Sequence, residues 1–325
     1  MTASAEVSAD ARARRARVPD FFIVGHPKSG TTALYEMLRR HPQIYMPDLK
    51  EPRFFSHEML PPRSEAHPHT LEEYLSLFEA AGPEERTGEA SPWYLRSPTA
   101  ASRISELRQD ARIIAILREP ASFLRSLHLQ SVENHVETET DLRKALALEG
   151  IRRRGKAIPR DAIRTHELLY SEWVQYVEQL RRYHAVFPPE QVLVLIYDDF
   201  RADNEGTVRQ VLRFLGVDET SPIEVMEANP TVRVRSPRMY EFVRSLYLGR
   251  GPVASAAKTA IKALTSQQLR HDALAIQRRV QWGEPSAPDE ELMLELRIRF
   301  NGEVVALSEY LGRDLMSLWG YDRIG

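Results

Sequence analysis

Cysteine is absent from the 325-residue chain. That excludes disulfides, thiolate metal sites and cysteine nucleophiles, and it suits a reducing compartment, so a cytoplasmic protein is the expectation. No apolar run approaches the roughly 20 residues needed to span a bilayer. A large charge imbalance is missing too: the formal net charge is −2. The molecule as a whole therefore has no general attraction for nucleic acid or an anionic membrane, and any anion site must be local. The basic run Ala11 to Arg17 is followed by no apolar core, so it does not read as a secretory signal. Residues 1–18 are expected to form a disordered arm. No internal repeat is visible.

What is present is ordinary for a globular protein: 42% hydrophobic and 28% charged residues. Short apolar runs at Phe21 to Val24, Arg112 to Leu117 and Gln191 to Tyr197 read as buried strands, and Arg86 to Ala90 as a shorter one. Helical patterns lie between them at Thr32 to Arg40, from Pro120 onward, through Thr165 to Val186 and up to Phe214-Leu215-Gly216. The alternation predicts an α/β fold: a parallel sheet, P-loop-like, with helices on both faces. Residues 19–325 read as one domain, with 235–288 as a helical lid or insertion. Leu292 to Leu311 reads as a helix, and Leu315, Leu318 and Trp319 as a packed anchor.

The most informative stretch is Gly25-His26-Pro27-Lys28-Ser29-Gly30-Thr31-Thr32. It follows a strand and opens a helix, where successive backbone N–H groups form an anion cradle. The glycines and Thr32 keep the spacing of the nucleotide P-loop, but Thr31 stands where the lysine belongs and Lys28 lies inside the loop. A lysine displaced in this way suits the bridging atom beside a single 5′-phosphate. A second anion site is suggested by Arg118 at a strand's C-terminal edge, with Ser126 eight residues on.

Together these motifs resemble the sulfotransferases that use 3′-phosphoadenosine 5′-phosphosulfate (PAPS). Further matches are Lys50-Glu51-Pro52 with Phe54-Phe55, Gly88-Glu89-Ala90-Ser91-Pro92-Trp93-Tyr94-Leu95, Val192 to Asp199 and Phe214-Leu215-Gly216. The resemblance implies transfer of a sulfuryl group to a hydroxyl or amine of a small-molecule or carbohydrate acceptor, releasing 3′,5′-adenosine bisphosphate (PAP), with no metal. It implies that Lys28, Ser29, Gly30, Thr31 and Thr32 hold the 5′-phosphosulfate, with Lys28 neutralising the leaving oxygen. Arg118 and Ser126 would hold the 3′-phosphate. Glu51 would be the general base, which calls for a raised pKa or a desolvated setting. Lys50, Ser91, Trp93, Tyr94 and His57 would line the acceptor side. Arg233 or Arg235 would reach the 3′-phosphate or adenine, although Thr231 to Arg235 matches the family's basic loop only loosely, and Leu168-Leu169-Tyr170 lacks a glycine common there. His57 and His128 are rival bases, and His26 is read as packing against the turn. The competing class is a P-loop kinase or NTPase using Mg-ATP, with Asp198 in the Walker-B role; the missing lysine at position 31 speaks against it.

Overall fold

The computed structural model describes residues 18–59, 67–83, 85–134, 136–159, 165–225, 233–234, 282–283 and 287–324. Five parallel strands form one sheet: β1 (Phe21–Gly25), β2 (Ile44–Tyr45), β3 (Arg86–Ala90), β4 (Arg112–Leu117) and β5 (Val192–Ile196), in the order β2-β3-β1-β4-β5. β1 lies at the centre, with Phe21 in register with both Gly88 and Arg112. Strands buried on both faces need apolar residues at every position. β1 and β4 meet that demand: Phe21 to Val24 and Ile113 to Leu117 are fully buried.

The helices supply the cover. α1 (Thr31–Arg39) turns Ala33, Leu34, Met37 and Leu38 inward. α2 (Ala100–Leu107) packs against α4 (Tyr176–His184), and α3 (Pro120–Glu133) starts directly after β4 with Pro120 as its first residue. β5 runs into α5 (Tyr197–Ala202) and α6 (Asn204–Leu215), which ends at Gly216. Val208, Val211, Leu212 and Leu215 of α6 join Phe21, Ile23, Ile114 and Ile116 in one core. Each such side chain contributes roughly 1.5–3 kcal/mol on full burial. α7 (Glu290–Leu311) and α8 (Leu315–Trp319) follow, and Leu315 and Trp319 are buried while Leu318 is exposed.

The uninterrupted helix expected over Thr165 to Val186 is not there. The segment is a 3₁₀ turn (Thr165–Leu168), a single helical turn (Tyr170–Trp173) and then α4, with non-helical backbone at Leu169 and Gln175. The side-chain amide of Gln179 donates to the carbonyls of Glu172 and Trp173, which satisfies the groups the break leaves over.

The chain divides into two compact units. One comprises residues up to Leu124, Leu169–Asn229 and Met293 onward, and contains the whole sheet. The other comprises Arg125–Leu168 and Pro230–Leu292. In the second unit Arg152 and Glu137 form a buried two-point ion pair at 2.6 and 2.8 Å. The expected arm 1–18 and the expected lid 235–288 fall almost wholly outside the described residues. No described helix is long and apolar enough to cross a membrane.

Candidate functional site

The loop between β1 and α1 is shaped for an anion. Gly30 caps α1 in a left-handed conformation (φ 87°) and offers no side-chain cap, and the first turn carries no acidic residue. The first-turn N–H groups are thus left for an external acceptor. A Cβ at position 30 would come within 2.9 Å of the Phe200 ring, so only glycine fits the turn against α5. Lys28 also holds a left-handed backbone (φ 61°), rare for a residue with a side chain. Ser29 and Thr31 are buried, and Lys28 and Thr32 half-buried.

Arg118 reaches this loop from the end of β4. Its Nη1 donates to the Lys28 carbonyl at 2.9 Å, joining positions 90 residues apart. The guanidinium lies over the Tyr197 ring at 4.7 Å, and the Arg118 carbonyl accepts from the Tyr176 hydroxyl at 2.9 Å. A half-buried guanidinium fixed on two sides, on a backbone held by Tyr176, is pre-organised for an anion. His26 begins the loop but is fully buried against Phe123, Trp173 and Tyr176. Burial holds its ring down to about 3, so it is neutral and takes no part in proton transfer.

Glu51 stands at the end of β3, the strand beside β1: its backbone N–H donates to the Ala90 carbonyl at 3.1 Å. Its carboxylate receives Lys50 Nζ at 3.0 Å and Arg53 Nη2 at 2.5 Å. Burial by itself raises the Glu51 pKa, but Arg53 and then Lys50 outweigh it and hold the group at about 2. Of the two settings expected, a desolvated one is found and a raised pKa is not: two cations together outweigh the burial and keep the group ionised. Beneath this loop lies Glu89, fully buried on β3. It accepts from the Tyr74 hydroxyl at 3.0 Å and the Ser91 hydroxyl at 2.8 Å, and also bonds Tyr94. Ser91 Oγ accepts the Arg53 N–H at 3.0 Å, and the Tyr94 hydroxyl accepts the Phe55 N–H at 3.3 Å.

The sulfotransferase family model matches residues 19–221, well over half the chain and all five strands. The chain belongs to the sulfotransferase family, whose members draw on PAPS. This sulfotransferase is 28% identical to a crystallised sulfotransferase from Alicyclobacillus acidocaldarius, covering 93% of this chain and 99% of that one with a TM-score of 0.66. It is 28% identical over 208 residues to the human bifunctional heparan sulfate N-deacetylase/N-sulfotransferase 3, matching 62% of this chain and 22% of that protein. It is 26% identical over 209 residues to the mouse heparan sulfate glucosamine 3-O-sulfotransferase 3A1, matching 62% of this chain and 46% of that protein. The matched region thus spans less than half the length of these two curated relatives.

The sulfotransferase brings Lys28, Ser29, Gly30, Thr31, Thr32, Arg118, Lys50 and Glu51 to the C-terminal edge of three adjacent strands. Other expected residues are placed differently. Ser91 and Tyr94 are wholly enclosed and Trp93 nearly so, with Arg53 over Trp93 at 4.6 Å. These three are packed under the loop that carries Glu51, Arg53 and Phe55 and offer almost no exposed surface. His57 is half-buried, its Nε2 paired with the Pro68 carbonyl at 3.1 Å. His128 is buried in the second unit, Nε2 paired with the Glu139 carbonyl at 2.8 Å, and burial lowers its pKa. Ser126 is buried on α3. Arg233 pairs with Gly283 in a two-stranded ribbon, its side chain lying outside the described residues together with all of Arg235.

Arg53, Glu89, Tyr176 and Tyr197 were missed. Arg53, Glu89 and Tyr197 stand inside the quoted motifs and had that signal; Tyr176 had none. Asp198 and Asp199 are both engaged, by Trp319 Nε1 at 2.9 Å and by Arg313 at 2.5 and 2.7 Å. Among the described residues no group of His, Asp and Glu is arranged to hold a metal ion.

Proposed function

We propose that this sulfotransferase moves the sulfuryl group of PAPS to a hydroxyl or amine of a carbohydrate acceptor, an amino sugar in the first instance, with residues 19–325 acting as one functional unit. The observation that carries the reading is the Arg118–Lys28 link at the strand edge, with the Glu51 carboxylate at the end of the neighbouring strand. The first-turn amides of α1, which no side chain caps, suit the 5′-phosphate, together with the Thr31 and Thr32 hydroxyls. The Lys28 ammonium neutralises charge on the leaving oxygen. Arg118 takes the 3′-phosphate.

Sulfuryl transfer, like phosphoryl transfer, asks mainly for alignment and charge stabilisation. Glu51 accepts the acceptor's proton. A carboxylate held at about 2 is ionised but a weak base. Lys50 turning to the donor's sulfate would leave Glu51 with one cation fewer and raise its basicity when the acceptor is in place. The amino-sugar class rests on the relatives named for heparan sulfate N- and 3-O-sulfation. The kinase alternative is not favoured: Thr31 stands in the lysine position, and both acids after β5 are taken by Trp319 and Arg313. The test is incubation with PAPS and glucosamine-containing oligosaccharides beside a phenol panel, in EDTA, read by mass spectrometry. Sulfate on a sugar supports the proposal. Sulfate on phenols alone overturns the acceptor class, and dependence on added metal overturns the role given to Lys28.

A further inference from the structure

Three acidic residues border the donor side of the site, and each is taken by a residue from the end of the chain. Glu119 directly follows Arg118. Its carboxylate caps α3, accepting the N–H groups of Ala121 at 3.1 Å and Ser122 at 2.7 Å, and its Oε1 also accepts the Tyr321 hydroxyl at 2.8 Å. Arg297 of α7 adds a looser ion pair at 3.6 Å. Asp198 and Asp199 directly follow Tyr197, whose ring lies under the Arg118 guanidinium. They are held by the Trp319 indole N–H and by Arg313. The helix they open, α5, also presents the Phe200 ring that Gly30 packs against. The segment Arg313–Tyr321 therefore grips the residues that follow both Arg118 and Tyr197.

We propose that Arg313–Tyr321 is a brace for the donor site, with Tyr321 and Trp319 as positioning residues that hold Arg118 in its phosphate-binding pose through Glu119 and Asp198. The inference rests on the reading of Arg118 as the 3′-phosphate ligand. The weight falls on Tyr321 and Trp319, which are buried, 2% and 6% exposed. The Arg313–Asp199 pair is 40% and 45% exposed, and an exposed pair contributes little. Removing the Tyr321 hydroxyl leaves Glu119 Oε1 with only the Ala121 N–H and the looser Arg297 contact, and so loosens a buried carboxylate whose direction fixes the turn from Arg118 into α3. Glu119 can then swing toward Arg297, and Arg118 loses its fixed base.

The experiment is calorimetric titration of PAP into the full chain and its variants, beside the melting temperature of each without ligand. Tyr321→Phe should weaken PAP binding by about 3- to 10-fold, less than the full value of one hydrogen bond to a charged group because the effect reaches PAP only through Arg118. In an Arg118→Ala background the same change should have less than about a 2-fold effect, because the brace acts through Arg118. Asp198→Asn, which keeps an acceptor for the indole, should bind PAP nearly as the native chain does, and Asp198→Leu should not. Should Tyr321→Phe fail to fold, Trp319→Phe enters the same cycle. Native-like PAP affinity in the braceless variants overturns the brace. So does an equal loss with and without Arg118, which a general loosening would produce. If Arg118→Ala alone leaves PAP binding unchanged, the donor-site reading fails and this inference falls with it, a result distinct from either of the others.

Discussion

Lys28, Glu51 and Arg53 all hold positive φ, at 61°, 60° and 55°, and none is glycine. A left-handed residue with a Cβ costs about 1–2 kcal/mol. It persists where neighbours over-determine it: the Lys28 carbonyl is held by Arg118, and the Arg53 N–H by Ser91. The proposed function gives Lys28 and Arg118 different duties, so their loss should read differently. Lys28→Ala should lower kcat by at least about 100-fold with PAP binding within a few-fold of native, because its charge is needed most as the leaving oxygen develops. Arg118→Ala should weaken PAP by about 10- to 100-fold, the range for a charge-assisted hydrogen bond. Calorimetry and initial rates on both variants check this; equal PAP loss in the two would merge the roles. Arg53 governs the charge state of Glu51, the proposed base. Its guanidinium is the largest of the influences pulling Glu51 down to about 2. Arg53→Met removes that pull, so the Glu51 pKa must rise. The acidic limb of kcat/KM, out of reach near pH 2 in the native enzyme, should then appear at about pH 4–5, nearer the ordinary carboxylate value. An unchanged profile would assign the proton to another group.

At the scale of elements, the base loop is only as well placed as the strand beneath it. Glu89 accepts from hydroxyls whose remaining lone pairs face the N–H groups of Arg53 and Phe55, so a carboxylate on β3 organises the loop over it. Ser91→Ala leaves the Arg53 N–H without its acceptor and should cost about 1–3 kcal/mol by denaturant unfolding, with kcat down several-fold; Ser91→Thr keeps the hydroxyl and should recover both. Burial raises Glu89 from 4.5 to about 7. The folded chain therefore holds this proton more tightly than the unfolded one, so the penalty for ionising it is absent below about pH 4.5, grows toward pH 7 and is complete above. Glu89→Gln should remove that part of the decline in stability between those values, read from urea midpoints across the range. These ties also mark the limit of reading the sequence. The strands were legible because continuous apolar runs bounded by Gly25 or Arg118 have few other solutions, and the phosphate loop because its glycines and lysine are spaced by backbone geometry. The Glu51 environment was not. Its pKa depends on a guanidinium two residues on that meets it only because Arg53 turns left-handed, and no residue type announces that turn. Trp93 and Tyr94 were read as an acceptor wall for a related reason: motif membership reports that a residue matters, while its direction follows from packing against Arg53 and Phe55.

For the molecule as a whole, a net charge of −2 means that donor affinity must come from the strand edge and not from the global field. The same edge separates the two ligand classes that a P-loop-like sheet can take. A triphosphate needs a lysine at the loop's end and acids free for magnesium; here Thr31 occupies the first position, and Asp198 and Asp199 hold Trp319 and Arg313. On the proposed reading a bisphosphate instead meets the cradle at Gly30 and the guanidinium at position 118. A ligand that binds only the folded state stabilises it by about 2.7 kcal/mol at 100 times its Kd. For 325 residues, at about 2.1 cal/mol/K of unfolding entropy per residue, that corresponds to a rise in Tm of roughly 4 °C. PAP should produce that rise in EDTA and in magnesium alike, and ATP should produce little in either. A rise with Mg-ATP that EDTA abolishes would show that Asp198 or Asp199 lets go of its partner to bind metal. In that event the brace, the displaced lysine and the assignment of Arg118 would all need replacing together, because each assumes that protein cations and not a metal ion hold the phosphates.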